Sequence, residues 1–125
     1  MDRSDLSRPK ALIIVGPTRL GKTVWARSLG RHSYFNTLLN HADYDDECLY
    51  AVFDDVDPKF FPNYKGWFGG QPEFTFAGKY ARHRTIRWGR PIIWCCNEHP
   101  RHTLGWDTQW LDDNSVTVEV FDKLY

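Results

Sequence analysis

Residues 16–23 read Gly-Pro-Thr-Arg-Leu-Gly-Lys-Thr, and this stretch narrows the fold more than any other in the chain. It follows an unbroken apolar run, Ala11–Val15, and precedes Lys22–Leu29, whose spacing predicts a helix. Trp25 and Leu29 share one face of that helix, and Gly30 is a natural stop. A glycine-bounded loop between a buried strand and a helix suits a phosphate. The glycines let successive backbone N–H groups turn inward, and the helix adds its positive end. Lys22 can reach the β and γ phosphates of a nucleoside triphosphate, and the Thr23 hydroxyl can ligate Mg²⁺. The candidate nucleotide-binding residues are therefore Gly16, Pro17, Thr18, Arg19, Leu20, Gly21, Lys22 and Thr23, with ATP and Mg²⁺ as the expected ligands.

Further apolar runs extend the pattern. Ser33–Asn36 reads as a short strand, and Leu49–Phe53 ends in Asp54-Asp55. Ile92–Cys96 ends in Asn97, and Val116–Phe121 alternates through Val116, Val118 and Val120. Continuous apolar runs are what strands buried on both faces of a parallel sheet require. Ligands bind such sheets at the carboxyl ends of the strands, so Gly16, Asp54–Asp55 and Asn97 are expected on one edge. The expected fold is α/β, a central parallel sheet flanked by helices. Residues 1–10 read as a flexible polar lead-in and 11–125 as one domain. The abrupt start before a core strand is what a piece of a longer protein would show.

The 125 residues are enough for a single core, and 42% of them are apolar, which argues against disorder. Net charge is zero, so no global field draws the protein to nucleic acid. The charges are segregated, however. Residues 43–57 hold seven acids and no base, whereas 79–90 hold Lys79, Arg82, His83, Arg84, Arg87 and Arg90 and no acid. Three cysteines, two of them adjacent, with no signal peptide or membrane-length apolar run, point to a reducing compartment. Cys95, Cys96, His99 and His102 match no common zinc spacing, and buried thiols are the simpler reading.

Three further features carry chemistry. An apolar strand ending in Asp54-Asp55 can hold Mg²⁺ with one carboxylate and polarise an attacking water with the other; Asp54 is assigned to the metal, with Thr23, and Asp55 to the water. Asn97 can contact a γ-phosphate or orient that water, or it can cap the turn that Glu98-His99-Pro100 favours. Residues 74–90 read as a hairpin with one apolar face (Phe74, Phe76, Ile86, Trp88) and a basic tip. Lys79, Arg82, His83, Arg84 and Arg87 can grip a nucleic-acid backbone there, or simply guard a sheet edge.

With those residues in place, the order of motifs resembles the helicase domain of geminivirus replication initiator proteins, members of helicase superfamily 3. The stretches that carry the resemblance are GPTRLGKTVWARSLG (16–30), VFDDV (52–56), YKGWFGGQ (64–71), Lys79-Tyr80 and IIWCCN (92–97). It spans roughly Leu12 to Asn97, and the terminal strand also fits. The resemblance implies an AAA+-like P-loop core with a basic β-hairpin inserted before the sensor strand. It implies a hexameric, Mg²⁺-dependent ATPase that moves on single-stranded and replicating viral DNA in the host cell nucleus, with no membrane partner. Lys22, Asp54, Asp55 and Asn97 take the family's catalytic and sensor positions, and Lys79 its DNA-contacting lysine. Lys65 also matches a basic position. A neighbouring subunit's arginine would complete the site, with Arg101 as the candidate. The hairpin is richer in arginine than is common in the family. The family's nicking domain and upstream oligomerisation helices are not represented, so a monomer with weak turnover is expected of this piece alone. Two other classes use the same loop: a small-molecule or nucleotide kinase, and a non-hydrolysing module in which nucleotide orders subunit contacts.

Overall fold

The computed structural model describes residues 10–17, 21–37, 43–57, 61, 64–76, 84–102 and 106–120. Seven strands are described: β1 (Ala11–Val15), β2 (His32–Asn36), β3 (Tyr50–Asp54), β4 (Glu73–Phe76), β5 (Arg84–Arg87), β6 (Ile92–Cys96) and β7 (Ser115–Glu119). The α-helices among the described residues are α1 (Lys22–Arg27), α2 (Tyr64–Phe68) and α3 (Thr108–Asn114), and a 3₁₀ turn spans Pro100–His102.

Strands β2-β3-β6-β1-β7 form one sheet in that order, and every pairing in it is parallel. The expected parallel α/β architecture is thus what the chain adopts. Register explains the continuous apolar runs. Ile13, Trp94, Phe53 and Phe35 pair across four neighbouring strands and lie on one face, while Leu12, Ile93, Val52 and Tyr34 form the adjacent row on the other. Successive side chains point to opposite faces, so both faces of the central strands must be apolar.

The two faces are covered differently. One carries an aromatic core in which Trp94 meets Phe53, Phe61, Phe68 and Trp106, and Trp67 meets Phe35, Phe53, Phe74 and Trp88. Elements α2 and the β4–β5 hairpin supply much of this layer. Gly66 makes their approach possible, because a Cβ there would lie 2.6 Å from the Phe74 ring. The opposite face is smaller and is covered through Ala26 of α1.

The structure adjusts several expectations. Helix α1 ends at Arg27, two residues early, where Ser28 bonds back to the Trp25 carbonyl through both its N–H and its hydroxyl (3.1 and 2.6 Å). Its sheet-facing i, i+4 pair is Lys22 and Ala26; Trp25 and Leu29 are exposed. Strand β3 runs one residue further than read, so Asp54 sits on the strand itself. Strand β7 begins at Ser115, and at this sheet edge Val116 and Val118 are exposed while Val120 is buried. Helices α2 and α3 add to the elements that the sequence pattern predicts. Strands β4 and β5 form the expected antiparallel hairpin, with Phe74 opposite Ile86. Its tip, including Lys79, Arg82 and His83, lies outside the described residues.

Candidate nucleotide site

The carboxyl ends of β1, β3 and β6 meet at one edge. The Gly16 N–H donates to the Cys96 carbonyl (3.1 Å), and the Asp55 N–H donates to Cys95 (3.3 Å). Asp54 pairs with Cys95, and Val15 with Cys96, so Gly16, Asp54, Asp55 and Asn97 follow from one register. Gly16 is also required by packing, since a Cβ would sit 2.5 Å from the Val120 carbonyl. Gly21 opens α1 with φ 84°, a left-handed turn that favours glycine. Thr18, Arg19 and Leu20 lie outside the described residues.

Lys22 is the centre of this edge. The side chain is buried, and its three N–H groups are shared among four acceptors: the carbonyls of Gly16, Pro17 (3.0 Å) and Cys96 (3.2 Å), and Asn97 Oδ1 (3.3 Å). The loop lysine and the Asn at the end of β6 therefore touch, although 75 residues separate them in sequence. All four partners among the described residues are neutral oxygens. A buried ammonium held only by neutral acceptors keeps its charge available to an incoming anion.

The acidic pair divides. Asp54 is half-buried and accepts a hydrogen bond from the Tyr34 hydroxyl (2.8 Å). Asp55 is exposed at φ 57°, a conformation that Asp tolerates better than most residues. Burial, then the bond to Asp54, raises the Tyr34 phenol above its ordinary range, so it stays a neutral donor at physiological pH. Tyr34 was not singled out in the sequence; only the β2–β3 register brings it to the acidic strand.

Cys95 lies on the same sheet face as Val52 and Ala26. Burial, followed by the neighbouring Asp54 charge, pushes its thiol up to about 12, against the pull of Lys22 and the Thr23 hydroxyl. Burial also pushes Cys96 up to about 12. Thiolate is the reactive form, so both should resist alkylation and disulfide exchange at pH 8. An aromatic disulfide reagent is expected to label them far more slowly in the folded protein than in denaturant, where all three thiols react. Equal rates in the two states would contradict this placement.

Other sequence candidates are placed as follows. Lys65 pairs with Asp107 (3.5 Å) and lies over the Trp110 ring, at the start of α3. Arg90 lies over Trp88 and donates to the Asp46 carbonyl (2.8 Å) and to Tyr44, so it ties the hairpin base to the acidic segment. Arg87 is exposed on β5 opposite Glu73. Arg84 lies on the same strand, and Arg101 lies in the 3₁₀ turn after Asn97. His99 bonds to Thr117 (2.9 Å) and His102 to Glu98 (3.0 Å). Among the described residues no cluster of three or more His, Cys, Asp or Glu could hold a metal. The oxygen donors at this edge, Thr23 and Asp54, suit a hard cation that keeps waters and phosphate oxygens as its other ligands.

Fold and edge together define an α/β domain with a phosphate-loop type of core. No family model matches the chain. It is 42% identical to the replication-associated protein of bean yellow dwarf virus over 92% of its own length and 35% of the relative's. The corresponding protein of tobacco yellow dwarf virus (strain Australia) is 41% identical over 93% of the chain and 32% of the relative, and that of maize streak virus genotype B (isolate Tas) 35% identical over 86% and 28%. The chain belongs to the replication-associated proteins of geminiviruses, and it spans about a third of the length of the curated relatives it matches.

Proposed function

We propose that this chain is the ATP-hydrolysing motor segment of a viral rolling-circle replication initiator, a superfamily 3 helicase of AAA+ type that moves on single-stranded DNA. The single observation that carries the reading is the contact between Lys22 Nζ and Asn97 Oδ1 at the edge that also holds Asp54. One strand, β6, lies between the loop strand and the acidic strand, as a motor with a phosphate sensor needs.

In this reading the loop backbone and Lys22 hold the triphosphate, and Thr23 and Asp54 hold Mg²⁺. The metal supplies charge neutralisation on the phosphate oxygens. Asp55 orients the attacking water and takes its proton. Asn97 reads the γ-phosphate and passes its loss to β6. The hairpin directly precedes that strand, so a small shift of β6 moves Lys79 and its neighbours Arg82, His83, Arg84 and Arg87 along DNA. A second subunit supplies an arginine, for which Arg101 is the candidate, within a hexamer of the whole protein acting in the host nucleus. No helix among the described residues is long and apolar enough to cross a membrane.

The test is ATPase rate and particle size measured together, with and without single-stranded DNA. DNA-stimulated phosphate release that rises with assembly is expected. Phosphate transfer to a small acceptor would replace this reading with a kinase, and tight ATP binding without turnover in every assembly would leave only an interaction module. Lys79→Ala is expected to lose most of the DNA stimulation, read as the ratio of rates with and without DNA; an unchanged ratio would remove the hairpin from the mechanism.

A further inference from the structure

Asp54 does not stand alone at the end of β3. Tyr34 lies one strand away, and its hydroxyl is 2.8 Å from Asp54 Oδ2. A phenol has one hydrogen to give and can also accept. Which way it points is set by Asp54, because a carboxylate can only accept, and Asn36 lies two residues along the same strand face. The Asn36 amide nitrogen, which can only donate, reaches the Tyr34 oxygen at 3.1 Å. The Asn36 carbonyl oxygen accepts in turn from the Thr37 hydroxyl (2.8 Å). Thr37 closes the circuit, because its N–H donates to the Asp54 carbonyl at 3.0 Å. The Tyr34 oxygen thus gives its hydrogen to the Asp54 carboxylate and accepts from Asn36.

The ring of Tyr34 is held as well. The Arg27 guanidinium stacks 3.9 Å above its centroid. Arg27 is the last residue of α1, the helix that begins with Lys22 and Thr23. Tyr34 therefore bridges the helix that follows the phosphate loop and the carboxylate of the acidic strand.

We infer that Tyr34 is a positioning residue for the metal-binding carboxylate: it occupies Asp54 Oδ2 and leaves the other oxygen to meet hydrated Mg²⁺. This rests on the assignment of Asp54 to the metal made above. The hydrogen bond disperses part of the carboxylate charge and removes its rotational freedom. Outer partners of this kind orient a ligand group and typically carry about 10- to 100-fold of metal affinity.

The experiment is binding of methylanthraniloyl-ATP to the chain, followed by fluorescence in EDTA and across a Mg²⁺ titration. Tyr34→Phe keeps the ring under Arg27 and removes only the hydroxyl. It should leave affinity in EDTA within about twofold of the parent and raise the Mg²⁺ concentration for half-maximal effect about tenfold. Asn36→Leu, which frees the hydroxyl to turn away, should shift the Mg²⁺ midpoint the same way by a smaller factor. Thermal unfolding of each variant separates loss of fold from loss of positioning, and the Asn36 variant carries the test if Tyr34→Phe does not fold. Asp54→Asn and Lys22→Ala are run in parallel. If Asp54→Asn abolishes the Mg²⁺ dependence while folded Tyr34→Phe and Asn36→Leu match the parent, the positioning role is wrong and the site assignment stands. If Asp54→Asn also matches the parent, both fall.

Discussion

Lys22→Ala is expected to abolish ATP hydrolysis, by about 100-fold or more, in any assembly in which the parent turns over. The reason lies in where the amine already is. It is 8% exposed and bound to Pro17, Cys96, Asn97 and Gly16 oxygens, none of them charged. Among the described residues its hydrogen-bond partners are all neutral, so an entering phosphate offers a stronger acceptor, and the amine has only to turn from carbonyls to phosphate oxygens. The same group holds Asn97 at 3.3 Å, so its loss removes both a phosphate contact and the tether of the residue proposed to sense it. Lys22→Arg is not a rescue, because a planar fork cannot satisfy a site shaped for a point charge. Phosphate release and nucleotide affinity measured on the same samples check the prediction. Hydrolysis retained at a tenth of the parent rate or better would take Lys22 out of the active site.

The sheet was legible because its central strands are buried on both faces. A run such as Ala11–Val15 or Ile92–Cys96 has few other ways to hide its side chains from water. The loop was legible because Gly16, Gly21, Lys22 and Thr23 sit at fixed spacing in one segment. Helices α2 and α3 were not, for a physical reason. They are five and seven residues long, too short for a 3.6-residue period to declare itself, and one contains Gly66. Gly66 reads as a helix breaker in sequence and proves to be the point where the Phe74 ring packs.

Charge was only partly readable. The acidic stretch from 43 to 57 and the basic stretch from 79 to 90 are segregated along the chain. In the fold, Arg31 pairs with Asp45 (2.5 Å) and Glu47 (3.0 Å), and Arg90 reaches across to Asp46 and Tyr44. Some of that charge joins segments of the domain to one another. Tyr34 illustrates the same limit at the site. Nothing in the letters HSYFN announces a partner for Asp54, because the pairing of Asn36 with Asp54 exists only once β2 has found its register.

Trp94→Ala should cost about 3–5 kcal/mol of stability. Trp94 is 1% exposed at the middle of β6, stacked on Phe53 at 5.7 Å and flanked by Phe61, Phe68 and Trp106. These neighbours come from β3, from α2 and the chain ahead of it, and from the segment before α3, so they cannot collapse into the gap together. The consequence reaches the site. Asn97 lies three residues on, just past the end of the same strand, and β6 pairs with both β1 and β3 on either side of it. Loosening the aromatic layer beneath β6 should therefore weaken the Lys22–Asn97 contact before the whole domain unfolds. Urea unfolding monitored by tryptophan fluorescence and by far-ultraviolet dichroism gives the stability change. Nucleotide affinity measured well below the unfolding midpoint gives the second effect. Trp94→Phe, which keeps most of the ring area, should recover more than half of the loss in both. A Trp94→Ala protein with parental stability would mean that the aromatic layer does not set the position of β6.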